Sequence, residues 1–585
     1  MSNLIVVPTG LMFLAMLGNG QLAMAQWQSP VGAPPSSTPA AAGLGVTVLD
    51  QAAPDECFVG IGSPNNIFPA TSCTQGTPKV NESYVWGLAE GKNMLWYGTA
   101  ANPLCEVVSA LFNAVGVSAP PFETGSYVCE FAASNFLLDN PQVPPELGDW
   151  RPPLILSLNL KTGAVTNQTP NDPKINQTLG IRSAMVAKGV ALLGGPVLAP
   201  IGAPPPGINL FAFNAKTGEY LGPTTLSQYG DIRTWTKLNG INYVGVENIN
   251  GTGSVLRWRG NLKNPFRFEV VGNLDNEAAY VMAHKGRIFA STWRNTSSPT
   301  SPVSGLWMSP KAGSNGLKAN SAGAWSKIFS VSQYESDPVT AAVTLNGALG
   351  EQGQYLYWGT MSVPLSAALA HFKRYPETLG SVTSILATLI DSQRAVAIFR
   401  CCAPQRKTQF GTAVELLYGD AVMPAYDPTT QTWQTVQNNM NVEPTFGPAG
   451  FGNPFNTYTW AMASFRGQLY VGTFDWSYLV ADFLGAALNS VGLQGTDIVT
   501  TITEFKQAFA PGVVTYGADL WKFPDDVSPA VVESQYGVGN FLNYGVRTMV
   551  PLSKELFVGS ANPMNLRTDP NNPPLEGYEL LGLTP

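Results

Sequence analysis

The sequence predicts an all-β chain folded as a seven-bladed β-propeller with helical insertions on one face. Three observations predict it: a short hairpin that recurs at fixed spacing, an apolar strand after each hairpin, and helical segments that always follow the hairpin's second strand. Units of three or four short strands cannot bury both faces alone, so repetition of such a unit points to radial stacking.

The hairpin is clearest between Tyr458 and Trp476, where apolar and aromatic residues fill two arms joined at Arg466-Gly467. Glycine there supplies the positive φ that a tight hairpin turn needs. Trp460 and Gly472 lie twelve residues apart, and the same spacing joins Trp86 to Gly98, Arg182 to Gly194, Arg233 to Gly245, Ala279 to Ser291 and Arg547 to Gly559. A seventh copy ends Tyr355-Leu-Tyr-Trp-Gly359-Thr360, with a longer hairpin expected from about Val339. Turn glycines recur at Gly189, Gly240, Gly286 and Gly467, with Asn93 in the first copy.

A third strand follows each hairpin, for example Leu210-Phe-Ala-Phe213, Val255-Leu-Arg-Trp258 and Leu520-Trp-Lys-Phe523. Insertions are expected near residues 104–150, 362–392 and 478–510. The first carries Leu104, Val107, Val108, Leu111, Phe112 and Val115 at helical spacing. In an antiparallel blade the loop leaving strand two and the loop entering strand one lie on the same side. All three insertions are therefore expected to rise from one face, where binding loops on a rigid scaffold usually sit.

Residues 1–25 have an apolar centre, Leu11 to Leu17, and end Ala23-Met-Ala25, the pattern of an export signal. No Lys or Arg precedes the apolar run, a departure from that pattern. Residues 26–45 read as a Pro/Ala/Ser linker and 46–585 as the propeller. Gly45 to Gln51 is either a strand that pairs with the last blade and closes the ring, or the approach to the cysteine loop. Six cysteines fit an oxidising compartment, so the protein is expected to be secreted, periplasmic or at the cell surface. The local pairings are Cys57 with Cys73 and Cys105 with Cys129, among three connectivities for those four. Adjacent Cys401 and Cys402 could form a vicinal bridge. With only two histidines a Cys/His zinc site is not expected, and no membrane span is expected in the mature chain.

The chain is 44% hydrophobic and only 12% charged, with a net charge of −7. That leaves no basic field for nucleic acid. The position twelve before the strand-ending glycine carries Arg182, Arg233 and Arg547, with Trp86 and Trp460 in two other copies. If first strands line the centre, three guanidinium forks and two indoles gather at one mouth, suited to an anionic or sugar ligand. The same residues also fit a structural role in which each arginine pairs with a neighbouring carboxylate and the indoles are packing wedges. Asp231, Glu277, Asp337 and Asp475 stand at the same ends as partners. Asp475 is the acid/base candidate should the protein be an enzyme. Asn102 and Asn562 read as turn formers. His284 is expected to be solvated at a hairpin turn, and His371 packed or exposed in the second insertion.

The turns Asn159-Leu-Lys-Thr-Gly163, Asn214-Ala-Lys-Thr-Gly218 and Asp427-Pro-Thr-Thr-Gln resemble the outer-strand turn of kelch-like and quinoprotein propellers, and Cys401-Cys402 resembles the vicinal disulfide of pyrroloquinoline-quinone alcohol dehydrogenases. That family's regular tryptophan-docking repeat is missing, as is a calcium-ligand set. The three arginines resemble the carboxylate-clamping triad of sialidases, whose Ser-x-Asp-x-Gly-x-x-Trp boxes are absent. Over nearly all of the mature chain the pattern is similar to exported bacterial propeller proteins with Leu-Phe-Val-Gly-Ser-Ala-Asn-Pro-type repeats, a resemblance that implies no particular activity.

These readings lead to an exported binding or scaffold propeller for a glycan, small anion or protein partner on the insertion-bearing face. The alternatives are a hydrolase or lyase on anionic polysaccharide, or a quinone-dependent dehydrogenase. The sequence requires no cofactor and no metal.

Overall fold

The computed structural model describes residues 43–585 apart from 62–72, 115–121, 124–127, 132–136, 138–139, 142, 148–149, 201–202, 204, 296–299, 403–412, 491–492, 494, 510–514 and 569–573. The export signal expected at residues 1–25, and the linker as far as residue 42, lie outside the described residues.

Each recurrent hairpin extends into a four-stranded antiparallel sheet. In the Trp460 copy, Asn456–Phe465 pairs with Gln468–Asp475, which pairs with Leu520–Phe523 and then Val531–Ser534. The Arg182, Arg233 and Ala279 copies repeat that order, each as a separate sheet. First strands of successive sheets pack side by side around a common centre, and the fold is a β-propeller. At the hairpin tips, Lys188-Gly189, Asn239-Gly240, Lys285-Gly286 and Arg466-Gly467 all have positive φ at both residues, as a two-residue turn matching strand twist requires.

Two features make the hairpins stack. Register shifts fall at or beside Trp86, Arg233, Ala279, Trp460 and Arg547, so the repeat position carrying arginine or tryptophan is a β-bulge. A bulge adds a residue to one strand and re-aims its side chain. Opposite it stands the strand-ending glycine. A Cβ on Gly98 would overlap Ile181, on Gly245 it would overlap Ala278, on Gly359 Thr459, on Gly472 Val546, and on Gly559 Val85. In these five the obstruction includes the neighbouring blade, which for Gly559 is the first, whereas a Cβ on Gly194 would meet Asn209 and Leu210 of its own sheet. The glycine lets successive first strands cross in close contact.

The residue after that glycine, or after Ser291 in the Ala279 copy, ties strands two and three. Thr99, Thr292, Thr360, Thr473 and Ser560 accept hydrogen bonds from the N–H groups of Leu154, Gly305, Ala397, Asp519 and Glu579 at 2.8–2.9 Å. Net, each such bond contributes about 1 kcal/mol.

The last sheet borrows its outer strand. Gly45–Gln51 pairs antiparallel with Glu579–Thr584, the first of the two roles open to it. Asp50 fixes the join by accepting from Tyr97 at 2.5 Å and Tyr578 at 2.9 Å.

Helices leave after second strands: α1 (Pro103–Ala114) follows Ala101, α3 (Ser366–Arg374) and α4 (Val382–Asp391) follow Met361, and α5 (Val480–Ser490) and α6 (Thr496–Phe509) follow Asp475; α2 (Pro338–Val343) instead precedes a first strand. The α2 segment corrects the expected long hairpin. Asp337 caps it by accepting from the Thr340 N–H at 2.7 Å, Pro338 supplies the first-turn φ, and the hairpin begins only at Leu345. Of the apolar face expected on α1, Leu104 and Val108 are buried, while Val115 lies outside the described residues. Helices α5 and α6 pack on each other, α6 on α4, and α1 on α5. Fully buried Trp476 anchors them, with its ring 5.8 Å from Phe455, 6.2 Å from Phe483 and 5.9 Å from Phe505. Disulfides join Cys57 to Cys73, Cys105 of α1 to Cys129, and Cys401 to Cys402.

Candidate functional site

The bulges bring the candidate residues together. Arg182 stacks over Trp86 with its guanidinium carbon 4.8 Å from the ring centre, and Arg547 lies 5.5 Å from that of Trp460. Arg233 lies 3.4 Å over Trp293, which also faces Arg182 at 5.7 Å. Contacts of this kind contribute about 0.5–2 kcal/mol, more where water is excluded.

Two of the three arginines are already neutralised. Arg182 is paired with Asp231 on the next sheet, and Arg233 with Glu277 on the sheet after, while Asp231 also lies 3.2 Å from Arg233. Glu247 stands opposite Asp231 in register, and burial together with Glu277 pushes its carboxyl up to about 8, against the pull of Arg182. Burial likewise pushes Glu106 of α1 up to about 7, with Arg182 pulling the other way. This side of the centre is a chain of alternating charges.

Arg547 differs. It is 6% exposed, its Nε is buried without a hydrogen-bond partner, and among the described residues it forms no ion pair. Burial pushes it down to about 10; Tyr280 and Tyr84 favour its charge, and neighbouring Arg182 opposes it. Arg182 also keeps a buried Nε without a partner.

Around Arg547 the aromatic residues pack mostly edge to face. Tyr84 meets Trp86, Trp460 and Tyr544 at 6.3, 5.7 and 6.0 Å, and Tyr458 meets Trp460 at 5.4 Å. The Tyr280 hydroxyl donates to the Trp460 carbonyl at 3.2 Å. Burial holds the hydroxyls of Tyr84 and Tyr458 well above the usual phenol range, so both remain protonated donors. The tyrosines were missed as site residues although Tyr84-Val-Trp86 and Tyr458-Thr-Trp460 repeat one pattern.

The remaining candidates lie elsewhere. Asp475 is buried, with its oxygens accepting from Ser477 N–H at 2.7 Å, the Ser477 hydroxyl, and Asn453 at 2.6 Å; burial pushes it up to about 6. It shapes the turn into α5. His284 corrects the expectation of a solvated ring: it is 3% exposed, with Nδ1 2.9 Å from Glu351 of the next sheet. His371 is fully buried, 3.1 Å from Asp337 and 2.8 Å from the Ala367 carbonyl. Asn102 turns the chain with φ 46° and donates to Asn81 at 2.9 Å, while Asn562 donates to Asn543 at 3.2 Å. Cys401-Cys402 ends a third strand, so two strands stand between it and the centre.

Sequence reading also missed a repeated clasp. Gly450-Phe-Gly-Asn-Pro-Phe-Asn456 and Gly537-Val-Gly-Asn-Phe-Leu-Asn543 share one pattern, each ending sixteen residues before its strand-ending glycine. The first three residues of both are left-handed, at φ 65°, 58°, 89° and 60°, 56°, 102°. Asn456 donates to the Gly450 carbonyl at 3.1 Å and to Asp519 at 2.6 Å, and Asn543 to the Gly537 carbonyl at 3.0 Å and to Glu579 at 2.7 Å. The leading glycine N–H bonds the preceding sheet, Val396 or Ala518, so each clasp spans two sheets.

No family model matches the chain, and no curated protein is significantly similar to it. Among solved structures it is similar to the Dos1 propeller at 6% identity and TM-score 0.37, covering 86% of this chain and 94% of that one. It is similar to a prolyl endopeptidase at 8% identity and TM-score 0.36, covering 82% of this chain and 45% of that one. Saccharomyces cerevisiae Sqt1 matches at 9% identity and TM-score 0.33, covering 87% and 98%.

Proposed function

We propose that this chain is an exported seven-bladed β-propeller that acts as a binding or scaffold protein, taking a glycan, small anion or protein partner on the face from which its helices rise. The blade count rests on the recurrent sheets and on the Gly559–Val85 crossing that returns the last sheet to the first. Export rests on the apolar leader pattern and on three disulfides. Of the candidates Arg182, Arg233, Arg547, Trp86 and Trp460, Arg547 carries the binding, Trp86 and Trp460 are the stacking surfaces, and Arg182 and Arg233, paired with Asp231 and Glu277, hold the neighbouring indoles in place.

The single observation that carries the reading is Arg547, a buried cation with no carboxylate of its own. Buried charges are normally paired, and an acidic group from outside would complete this one. Binding is favoured over hydrolysis because Arg182 and Arg233 are occupied and the oxygens of Asp475 serve a turn.

The test is affinity electrophoresis of the purified protein through gels carrying polygalacturonate, alginate or chondroitin sulfate, run beside a reducing-end assay on the same polymers. Retardation without new reducing ends is the expected result. New reducing ends would replace this reading with that of a glycan-cleaving enzyme. Free migration through all three would remove the acidic glycan as a partner.

A further inference from the structure

Resting on that reading, we propose that the Arg547 guanidinium and the hydroxyls of Tyr84 and Tyr458 together bind one oxyanionic group, a carboxylate, sulfate or phosphate, at the centre of the ring. Arg182 and Arg233 are positioning residues: their charges are spent on Asp231 and Glu277, and they hold Trp86 and Trp293 in place.

The donors share one place. The Arg547 guanidinium carbon lies 5.5 Å from the Trp460 ring centre, and the rings of Tyr84 and Tyr458 pack on that same ring at 5.7 and 5.4 Å. Tyr280 already donates to a backbone carbonyl, whereas the Tyr84 and Tyr458 hydroxyls make no hydrogen bond among the described residues. A planar fork joined by O–H donors matches the several acceptor oxygens of an oxyanion better than a spherical halide. Arg547, Tyr458 and Trp460 are buried but not sealed, with 6, 8 and 7% exposure. Burial of the guanidinium strengthens its attraction for an incoming charge.

Thermal unfolding at fixed ionic strength, with sodium chloride exchanged stepwise for sodium sulfate or sodium acetate, tests this against Arg547→Met and the double variant Tyr84→Phe, Tyr458→Phe. Wild type is expected to gain a saturable rise in Tm with at least one anion. The double variant is expected to need at least tenfold more anion for half of that rise. Arg547→Met is expected to lose the saturable rise and, having lost an unpaired buried charge, to melt no lower than wild type without the anion. An equal saturable response in Arg547→Met overturns the proposal, since sulfate's general exclusion effect acts on both proteins alike.

Polygalacturonate gels separate the sources of the group. Retardation abolished by Arg547→Met supports a carboxylate carried on a glycan, whereas a saturable ion response with free migration supports a free anion. Retardation unchanged in Arg547→Met, with no ion response in wild type, overturns this site while leaving the binding reading intact. Neither response in wild type overturns this site and removes both the glycan and the small anion from the binding reading.

Discussion

Two sides of the ring do the same structural work with different chemistry. Between the Arg182, Arg233 and Ala279 sheets, adjoining first strands are joined by guanidinium–carboxylate pairs through Asp231 and Glu277. Between the Tyr355, Trp460 and Arg547 sheets, the joint is the left-handed glycine loop with its Asn456 or Asn543 amide, which bonds backbone and carboxylate together. Where amides make the joint, the arginine at the bulge is freed from structural duty. That contrast explains why one of three arginines at equivalent positions is left without a carboxylate.

The largest expected effect is on the charged side. Asp231→Ala strips both Arg182 and Arg233 of a partner, and removing one member of a buried ionic group costs about 3–5 kcal/mol. Urea unfolding measures it; a loss within the range of surface substitutions would show that the pairs do not hold the sheets.

Next comes the crossing both sides share. Gly472→Ala is expected to destabilise by about 1–3 kcal/mol, because the new methyl overlaps Val546. Adding Val546→Ala should recover part of the loss, and a purely additive double variant would deny the close approach.

On the amide side, Asn543→Ala removes the shared amide donor of Glu579 and the Gly537 carbonyl, leaving both to Asn540 alone, at a cost of about 1–3 kcal/mol. Asn456→Ala should behave alike, since Asp519 and the Gly450 carbonyl stand in the same relation to it. Unequal values would break the equivalence of the two clasps.

Both sides of the ring also respond to pH. Burial raises Asp519 on the amide side and Glu106 on the charged side to about 7 each, and Glu247 to about 8. Unfolded carboxyls titrate near pH 4. The folded chain therefore binds more protons between about pH 4 and pH 8, and stability falls as pH rises through that window. Asp337 works oppositely: burial alone would raise its carboxyl, but His371 and two backbone N–H groups hold it at about 2, so its contribution is lost only in strong acid. Tm is expected to be lower at pH 8 than at pH 5, and Glu247→Gln should flatten that slope. A slope unchanged by Glu247→Gln would place the titration elsewhere.

Much of the fold was legible because its unit is local. A hairpin, its turn glycine and its strand-ending glycine lie within a few residues of one another, so spacing alone reveals them. Trp86, Arg182, Arg233, Trp460 and Arg547 were legible as a group because they share one repeat position. The bulge that aims them was not, since one extra residue leaves no composition signal. His284 looked solvated because its partner Glu351 sits in another hairpin. Helix α2 is too short for periodicity, although Asp337-Pro338 is a recognisable start. The clasp was readable as a repeated Gly-x-Gly-Asn-x-x-Asn string, but its meaning depends on carbonyls of the preceding sheet.

The sheet that completes the ring combines Gly45–Gln51 with Glu579–Thr584, and Asp50 meets Tyr578 across 528 residues of chain. A polypeptide emerging in order carries one half of this seam from near the outset and must wait for the other. Until then the two ends of the array each lack a neighbour, and closing it depends on contacts between distant parts of the sequence. Proteolytic resistance is thus expected to appear in a single step when the seam fastens rather than blade by blade.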